Sequence, residues 1–249
     1  MKKFGLIGFP LSHSFSQKYF TEKFAKQGLT DHQYDLYPIE NAEDFLSIVK
    51  NDSDLFGLNV TIPHKLAVML FLDELDESAA EVGAVNVIKI ERNKNGEINL
   101  KGFNSDVYGF QNSLQPLLNP VHTHALILGT GGASKAVAYA LKKLEIQYKF
   151  VSRKAIENGF SYEELTEEVL SKYKVVVNCS PLGTYPNVEV APMIPYQFLG
   201  PEHLLYDLVY NPAETEFLKR GKLKGAMVKN GYEMLELQAE KAWEIWQKH

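Results

Sequence analysis

The sequence predicts an α/β protein made of two α/β domains, the first holding a mostly parallel sheet. Three observations carry that expectation. Strand-like apolar runs alternate with helical patterns through the N-terminal part, the rhythm breaks at a linker around Asn119-Pro120, and it restarts with a glycine turn between an apolar strand and an alanine-rich helix. Alternation of this kind folds as βαβ units, because each crossover helix covers a face of the sheet. A chain of 249 residues has room for two modest cores.

The first strand is KFGLIG. The start MKKFGLIGFPL looks signal-like, but its apolar run is short, holds Gly and Pro, and enters SHSFSQ without a small-residue cleavage site. It is therefore expected to open the fold of a cytoplasmic protein. A helix over 16–28, the strand QYDLYPI, a helix near 42–50 and the strand LFGLNVTI follow. Pro63 suits the first turn of a further helix, HKLAVMLFLDEL. In VNVIKIERNKNGEINLKGFN, Asn95-Gly96 separates two alternating segments, which predicts an antiparallel hairpin at the sheet edge. Beyond the linker come the strand HALIL, its helix, the strand YKFVSR, the acidic helix YEELTEEVLSKY and the strands KVVVNCS and HLLYDLVY. The last helix, YEMLELQAEKAWEIW, repeats Met234, Leu235, Ala239, Ala242, Trp243 and Trp246 at helical spacing, and these are expected in the core.

Composition excludes several classes of function. With 45% hydrophobic and 23% charged residues the chain is an ordinary globular one. A net charge of −5 without clustered Lys and Arg argues against nucleic acid as a partner, while a small anionic ligand stays compatible with it. No apolar run approaches the roughly 18 residues that span a membrane. The single cysteine, Cys179, forms no internal disulfide and fits a reducing compartment. The seven histidines show no ligand spacing, so no metal is expected.

The segment LILGTGGASKAVAYAL joins strand, glycine turn and helix. Gly129 permits the turn, and Gly131 with Gly132 lets the backbone approach a pyrophosphate at the helix N-terminus. Ser134 stands where a third Gly or Ala is usual, and the same glycines also fit a plain tight turn. Roughly twenty residues on, an NAD site places Asp or Glu on the ribose 2′-hydroxyl. Here FVSRK offers Ser152, Arg153 and Lys154, which suit a 2′-phosphate and so favour NADP, although they also fit a solvated loop.

GLNVTIPHK raises a different question. Alternation puts Asn59 and Thr61 on one strand face and Val60 and Ile62 on the other. Lys65 then falls at the positive end of the next helix, where the macrodipole disfavours a cation and favours a proton-transferring amine. A lysine reaching into solvent is the alternative. Ser14 and Ser16 precede or open a helix, where they suit a carboxylate, or in the case of Ser16 an ordinary N-cap. Asp106 in GFNSDVYGF opens another helix as a first-turn acid or a catalytic one, and Asn86 stands at the start of the hairpin.

HSFS, NVTIPHK, GAVNVI, GFNSDVYG, GTGGAS, NCSPLGT, YDLVYNPAETEFL and GYEMLELQA occur in the order seen in shikimate dehydrogenases, and the resemblance covers essentially the whole chain. It implies an N-terminal substrate domain, residues 1–118 completed by the last helix, 232–249, and a Rossmann-like NADP domain, 119–231, with the active site in a cleft between them. It implies reversible reduction of 3-dehydroshikimate to shikimate, in the route to chorismate and the aromatic amino acids, by a monomer or homodimer. Lys65 resembles the catalytic acid-base residue and Asp106 its partner. Ser14 and Ser16 resemble the carboxylate contacts, Thr61, Asn86 and Gln238 the ring-hydroxyl contacts, and Asn59 and Tyr210 further members of the pocket. Gly129, Thr130, Gly131, Gly132, Ala133, Ser134, Ser152, Arg153 and Lys154 match the cofactor segments, and Leu208 and Gly231 match positions near the nicotinamide. A Pro usual after the second serine is absent, Ser105 replaces a Thr before the Asp, and VSRK is a shortened cofactor clamp. A quinate-preferring relative, another NADP enzyme such as a methylenetetrahydrofolate dehydrogenase, and a non-catalytic sensor of NADP or shikimate are the alternatives. The pairing of NVTIPHK with NSD argues against the second.

Overall fold

The structure is a computed structural model describing residues 1–11, 14–154 and 156–248, so His13 of the HSFS motif lies outside the described residues. The chain divides into two compact units, Met1–Ser105 with Ala239–His249, and Asp106–Gln238.

The first unit contains β1 (Lys2–Gly8), α1 (Phe15–Lys26), β2 (His32–Pro38), α2 (Phe45–Asn51), β3 (Leu55–Val60), β4 (Glu74–Leu75), α3 (Glu77–Val82), β5 (Val87–Arg92) and β6 (Ile98–Phe103). Its sheet runs in the order β2-β1-β3-β5-β6-β4. β1 pairs in parallel with β2 and β3, whereas β3 with β5 and β5 with β6 are antiparallel. β1 is buried from Phe4 through Gly8 because both faces of the sheet are covered, which its continuous apolar run reflects. On one face Ile7, Leu58, Val60 and Ile88 pack with Phe45 and Val49 of α2. On the other, Phe4, Leu6 and Tyr34 pack with Phe20 and Phe24 of α1 and with Ala239, Ala242 and Trp246 of the last helix. The indole of Trp246 crosses β3 at Gly57, where a Cβ would lie 2.2 Å from its nitrogen. The expected hairpin is β5–β6, but the edge position belongs to β4, a strand of two residues pairing with β6. Asn93 and Glu97 close the hairpin, and Gly96 donates to the Asn93 carbonyl at 3.0 Å.

The second unit opens within α4 (Ser105–Leu114), whose first residue still belongs to the first unit. It contains β7 (His124–Leu128), α5 (Gly132–Lys143), β8 (Gln147–Ser152), β9 (Phe160–Ser161), α6 (Glu167–Lys172), β10 (Val175–Asn178), β11 (Leu204–Asp207), α7 (Glu216–Leu223), β12 (Met227–Lys229) and most of the first half of α8 (Tyr232–Gln247). The strands are all parallel, in the order β12-β11-β10-β7-β8-β9. This is the doubly wound dinucleotide-binding order, with its switch point between β7 and β10. The acidic segment expected as one helix is broken. Ser161 and Glu164 form a capping box around a 3-10 turn, Tyr162–Glu164, and Thr166 then caps α6 afresh. From Asp106 onward α4 belongs to the second unit, and its Gly109 packs on α8 so closely that a Cβ there would lie 2.5 Å from the Met234 carbonyl.

Candidate active site

Beyond β3 the chain does not continue as the expected α-helix. Residues 62–66 form turns, and a 3-10 helix, Ala67–Phe71, follows. The cause is non-local. The Lys65 carbonyl accepts the Val85 N–H at 2.8 Å, and the Thr61 carbonyl accepts the His64 N–H at 2.9 Å, so neither is given to an α-helical ladder. Buried His64 fixes the turn with its imidazole Nε2 against the Ile39 carbonyl at 2.7 Å. Lys65 is thus held by the backbone around it, but no α-helix begins there, and the macrodipole argument for its chemistry has no helix to rest on. The strand alternation also stops at Val60: Ile62, expected on a packing face, is 74% exposed.

Buried Asn59 accepts the Tyr34 hydroxyl on Oδ1 at 2.7 Å and turns Nδ2 toward the Asn86 carbonyl at 3.4 Å. Half-buried Thr61 donates its N–H to the Ile7 carbonyl at 3.0 Å, tying the ends of β3 and β1. Asn86, buried just before β5, takes the Ser105 N–H on its side-chain oxygen at 2.7 Å and donates from Nδ2 to the Ser105 hydroxyl at 3.0 Å. Asp106 is the next residue, in the first turn of α4, where the macrodipole favours negative charge. The N-cap of α1 is Ser14, not Ser16. Ser14 Oγ accepts the Gln17 N–H at 3.2 Å, which leaves its own proton to donate. Ser16, one residue into α1, faces the Tyr34 hydroxyl. The first unit therefore brings together Asn59, Thr61, Asn86 and Lys65 at the ends of β3 and β5, and sets Ser16 and Asn59 against the same Tyr34 hydroxyl.

In the second unit the expected cofactor residues lie at the carboxyl ends of neighbouring strands. Gly129 turns at φ +109 and donates its N–H to the Val151 carbonyl at 2.9 Å, which sets the glycine turn beside the end of β8. Gly131 caps α5, and a Cβ on Gly131 or Gly132 would meet nothing within 4 Å. The first turn of α5 carries no acid and no side-chain cap, and Thr130, Gly131 and Gly132 are exposed with Gly129 half-buried before them. That open backbone cradle at a helix N-terminus fits a pyrophosphate. Ala133 is half-buried behind it. Buried Ser134 fills the third-glycine position by bonding its hydroxyl back to the Gly131 carbonyl at 2.6 Å. Ser152 bonds the Lys154 carbonyl and so shapes the loop on which Arg153 and Lys154 are exposed. Leu208 and Gly231 meet directly, since a Cβ at Gly231 would stand 2.2 Å from the Leu208 carbonyl oxygen. Gln238, largely buried, donates to the Leu235 carbonyl at 3.1 Å and packs against Gly109 of α4. Tyr210 is more than a third exposed.

Sequence reasoning missed three residues that hold this arrangement: His64, Tyr34 and Asp207. Asp207 is fully buried at the end of β11, where Oδ1 accepts Asn178 Nδ2 at 2.9 Å and the Val209 N–H at 3.0 Å, and Oδ2 accepts the Thr215 hydroxyl at 2.6 Å. Burial pushes its carboxyl up to about 6, against those three hydrogen bonds. The only hint in the sequence is an acid inside the apolar run LLYDLVY. Among the described residues no group of three or more His, Cys, Asp or Glu is placed to hold a metal, and no helix is long and apolar enough to cross a membrane.

Residues 6–88 match the family described as the shikimate dehydrogenase substrate binding domain. A shikimate dehydrogenase (NADP(+)) of Caldicellulosiruptor saccharolyticus is 33% identical, over 99% of this chain and 92% of its own. The chain belongs to the shikimate dehydrogenase family. Among solved structures in that fold, shikimate 5-dehydrogenase of Thermus thermophilus in complex with NADP(H) and shikimate has a TM-score of 0.85 and 28% identity, covering 99% of this chain and 94% of that one. Quinate dehydrogenase of Corynebacterium glutamicum in complex with NAD has a TM-score of 0.87 and 27% identity, covering 99% and 93%.

Proposed function

We propose that this protein is the NADP-dependent oxidoreductase that interconverts 3-dehydroshikimate and shikimate in the route to the aromatic amino acids. Supporting the reading above all is family membership combined with Lys65 on a turn pinned to Val85 and Asp106 opening a helix braced by Asn86. We assign residues 1–118 with 232–249 to the substrate and 119–231 to the cofactor. The single cysteine supports a cytoplasmic enzyme.

Bound NADP would take the hydride of the carbinol carbon at its nicotinamide. The protein's residues handle the proton and the substrate. Neutral Lys65 takes the hydroxyl proton as the alcohol is oxidised, and its ammonium returns that proton in reduction. Asp106 accepts a hydrogen bond from a ring hydroxyl and orients the amine. Ser14 and Ser16 donate to the substrate carboxylate. Thr61, Asn86 and Gln238 contact the ring hydroxyls, with Asn59 and Tyr210 completing the pocket. The turn from Gly129 to Ala133 holds the pyrophosphate, with Ser134 supporting it from the core. Ser152, Arg153 and Lys154 grip the 2′-phosphate, and Leu208 and Gly231 bound the nicotinamide.

A second reading, quinate oxidation with NAD, draws on the similarity to the quinate dehydrogenase. The absence of an acid directly after β8, where Arg153 and Lys154 stand exposed, favours NADP. Nicotinamide reduction with shikimate or quinate crossed with NADP or NAD tests both. Turnover led by shikimate with NADP is expected. A lead by quinate or NAD changes the specificity, and ligand binding without turnover in any combination makes the protein a sensor.

A further inference from the structure

Tyr34 sits on β2 with 4% of its surface exposed, and it joins three elements. Its hydroxyl donates to Asn59 Oδ1 of β3 at 2.7 Å. The Ser16 hydroxyl on α1 faces its phenolic oxygen. Its ring stacks on Phe20 of the same helix, with centroids 4.7 Å apart and planes 11° from parallel. Burial holds the phenol far above its ordinary titration range, so its proton is always present to donate.

We propose that Tyr34 is a positioning residue for the substrate, setting at once the direction of the Asn59 amide and the rotamer of the Ser16 hydroxyl. The inference rests on the shikimate reading given above. An amide can present either its oxygen or its nitrogen to a ligand. With Oδ1 held by the phenol the amide cannot flip, so the group it turns away from Tyr34 is Nδ2, whose bond to the Asn86 carbonyl at 3.4 Å is at the long end of hydrogen-bond geometry. Asn59 is therefore presented as a donor to a ring hydroxyl oxygen. Ser16 is kept from rotating into a local bond with its own helix, and a bound carboxylate, the stronger acceptor because it is charged, accepts the hydrogen bond of its hydroxyl. The phenol thus acts through two residues and touches no reacting atom.

Tyr34→Phe keeps the ring and its stacking on Phe20 and deletes only the hydroxyl. The expected result is a KM for shikimate about tenfold higher, as for one hydrogen bond in the substrate complex, with kcat within about threefold and KM for NADP unchanged. A merely structural loss lowers the melting temperature and leaves KM for shikimate where it was. Ser16→Ala and the double variant complete a cycle in which the two effects on KM do not multiply, because one chain of bonds carries both. Unchanged KM in Tyr34→Phe, or effects that multiply independently, overturns the assignment. Absence of shikimate turnover by the unmodified protein instead overturns the shikimate reading, and this inference falls with it.

Discussion

Ser105 gives its backbone N–H to the side-chain oxygen of Asn86 at 2.7 Å, and Asn86 answers with a hydrogen bond from Nδ2 to the Ser105 hydroxyl at 3.0 Å. Ser105 is the first residue of α4, so a helix start that would otherwise need its own cap is satisfied from the N-terminal end of β5. Asn86 also donates its N–H to the Phe103 carbonyl at 3.0 Å and accepts the Val60 N–H at 2.9 Å. One asparagine therefore ties β3, β6 and the start of α4, and the catalytic candidate Asp106 is the residue that comes next.

Asn86→Ala should consequently act on folding as well as on the substrate. It strips the buried Ser105 N–H of its acceptor, which costs about 1–3 kcal/mol. Asn86→Asp keeps an acceptor for both the N–H and the hydroxyl of Ser105 and should recover part of that loss. Urea unfolding of the two variants checks it. Equal stability of Asn86→Ala and the unmodified protein would show that the brace contributes nothing.

Lys65→Ala removes the proposed proton carrier while leaving the turn intact, since Val85 and His64 hold backbone atoms and not the amine. Turnover should fall about 10²- to 10⁴-fold with KM for shikimate changed little. Stopped-flow and steady-state rates of NADP reduction separate the two parameters. A variant with near-normal kcat removes Lys65 from the chemistry.

The parts of the fold legible in the sequence are those fixed by local periodicity. β1 and α1, the glycine turn into α5, and the stripe of Met234, Ala239, Ala242 and Trp246 on the last helix all carry a strong pattern over many residues. The misread parts are set by distant partners. The Lys65 carbonyl is claimed by Val85, so a segment with helical apolar spacing cannot wind into an α-helix. Tyr34 reads like any strand aromatic because its partner Asn59 lies on another strand. β4, only two residues long, is too short to leave a pattern, and without it the hairpin reads as the sheet edge. The broken acidic helix is different: Ser161 and Glu164 have capping-box spacing, a local signal that the acidic run beside it masks.

Arg153 should decide between the two nicotinamide cofactors. It is exposed just past β8, and its proposed partner, the 2′-phosphate, exists only in NADP. Arg153→Ala should raise KM for NADP about ten- to a hundredfold, as expected for charge-assisted bonds, and leave KM for NAD unchanged. Equal losses with both cofactors would mean that Arg153 shapes the loop rather than reading the phosphate.

Asp207 gives the second unit a pH dependence. Its carboxyl is raised by burial from an ordinary 3.8 to about 6, so the folded chain holds this proton more tightly than the unfolded one. The associated stability is fully present below about pH 4 and is lost as pH rises through about 6, by roughly 3 kcal/mol for a shift of about two units. Asp207→Asn cannot ionise, yet its oxygen can still accept from Asn178 and Val209 while Thr215 turns its hydroxyl to accept from the new amide. Relative to the unmodified protein, the variant should therefore gain stability steadily between about pH 4 and pH 7. Urea unfolding across that range reads the difference directly. Parallel stability curves would place the carboxyl's titration outside this window and leave Asp207 as a hydrogen-bond acceptor without a pH-linked role.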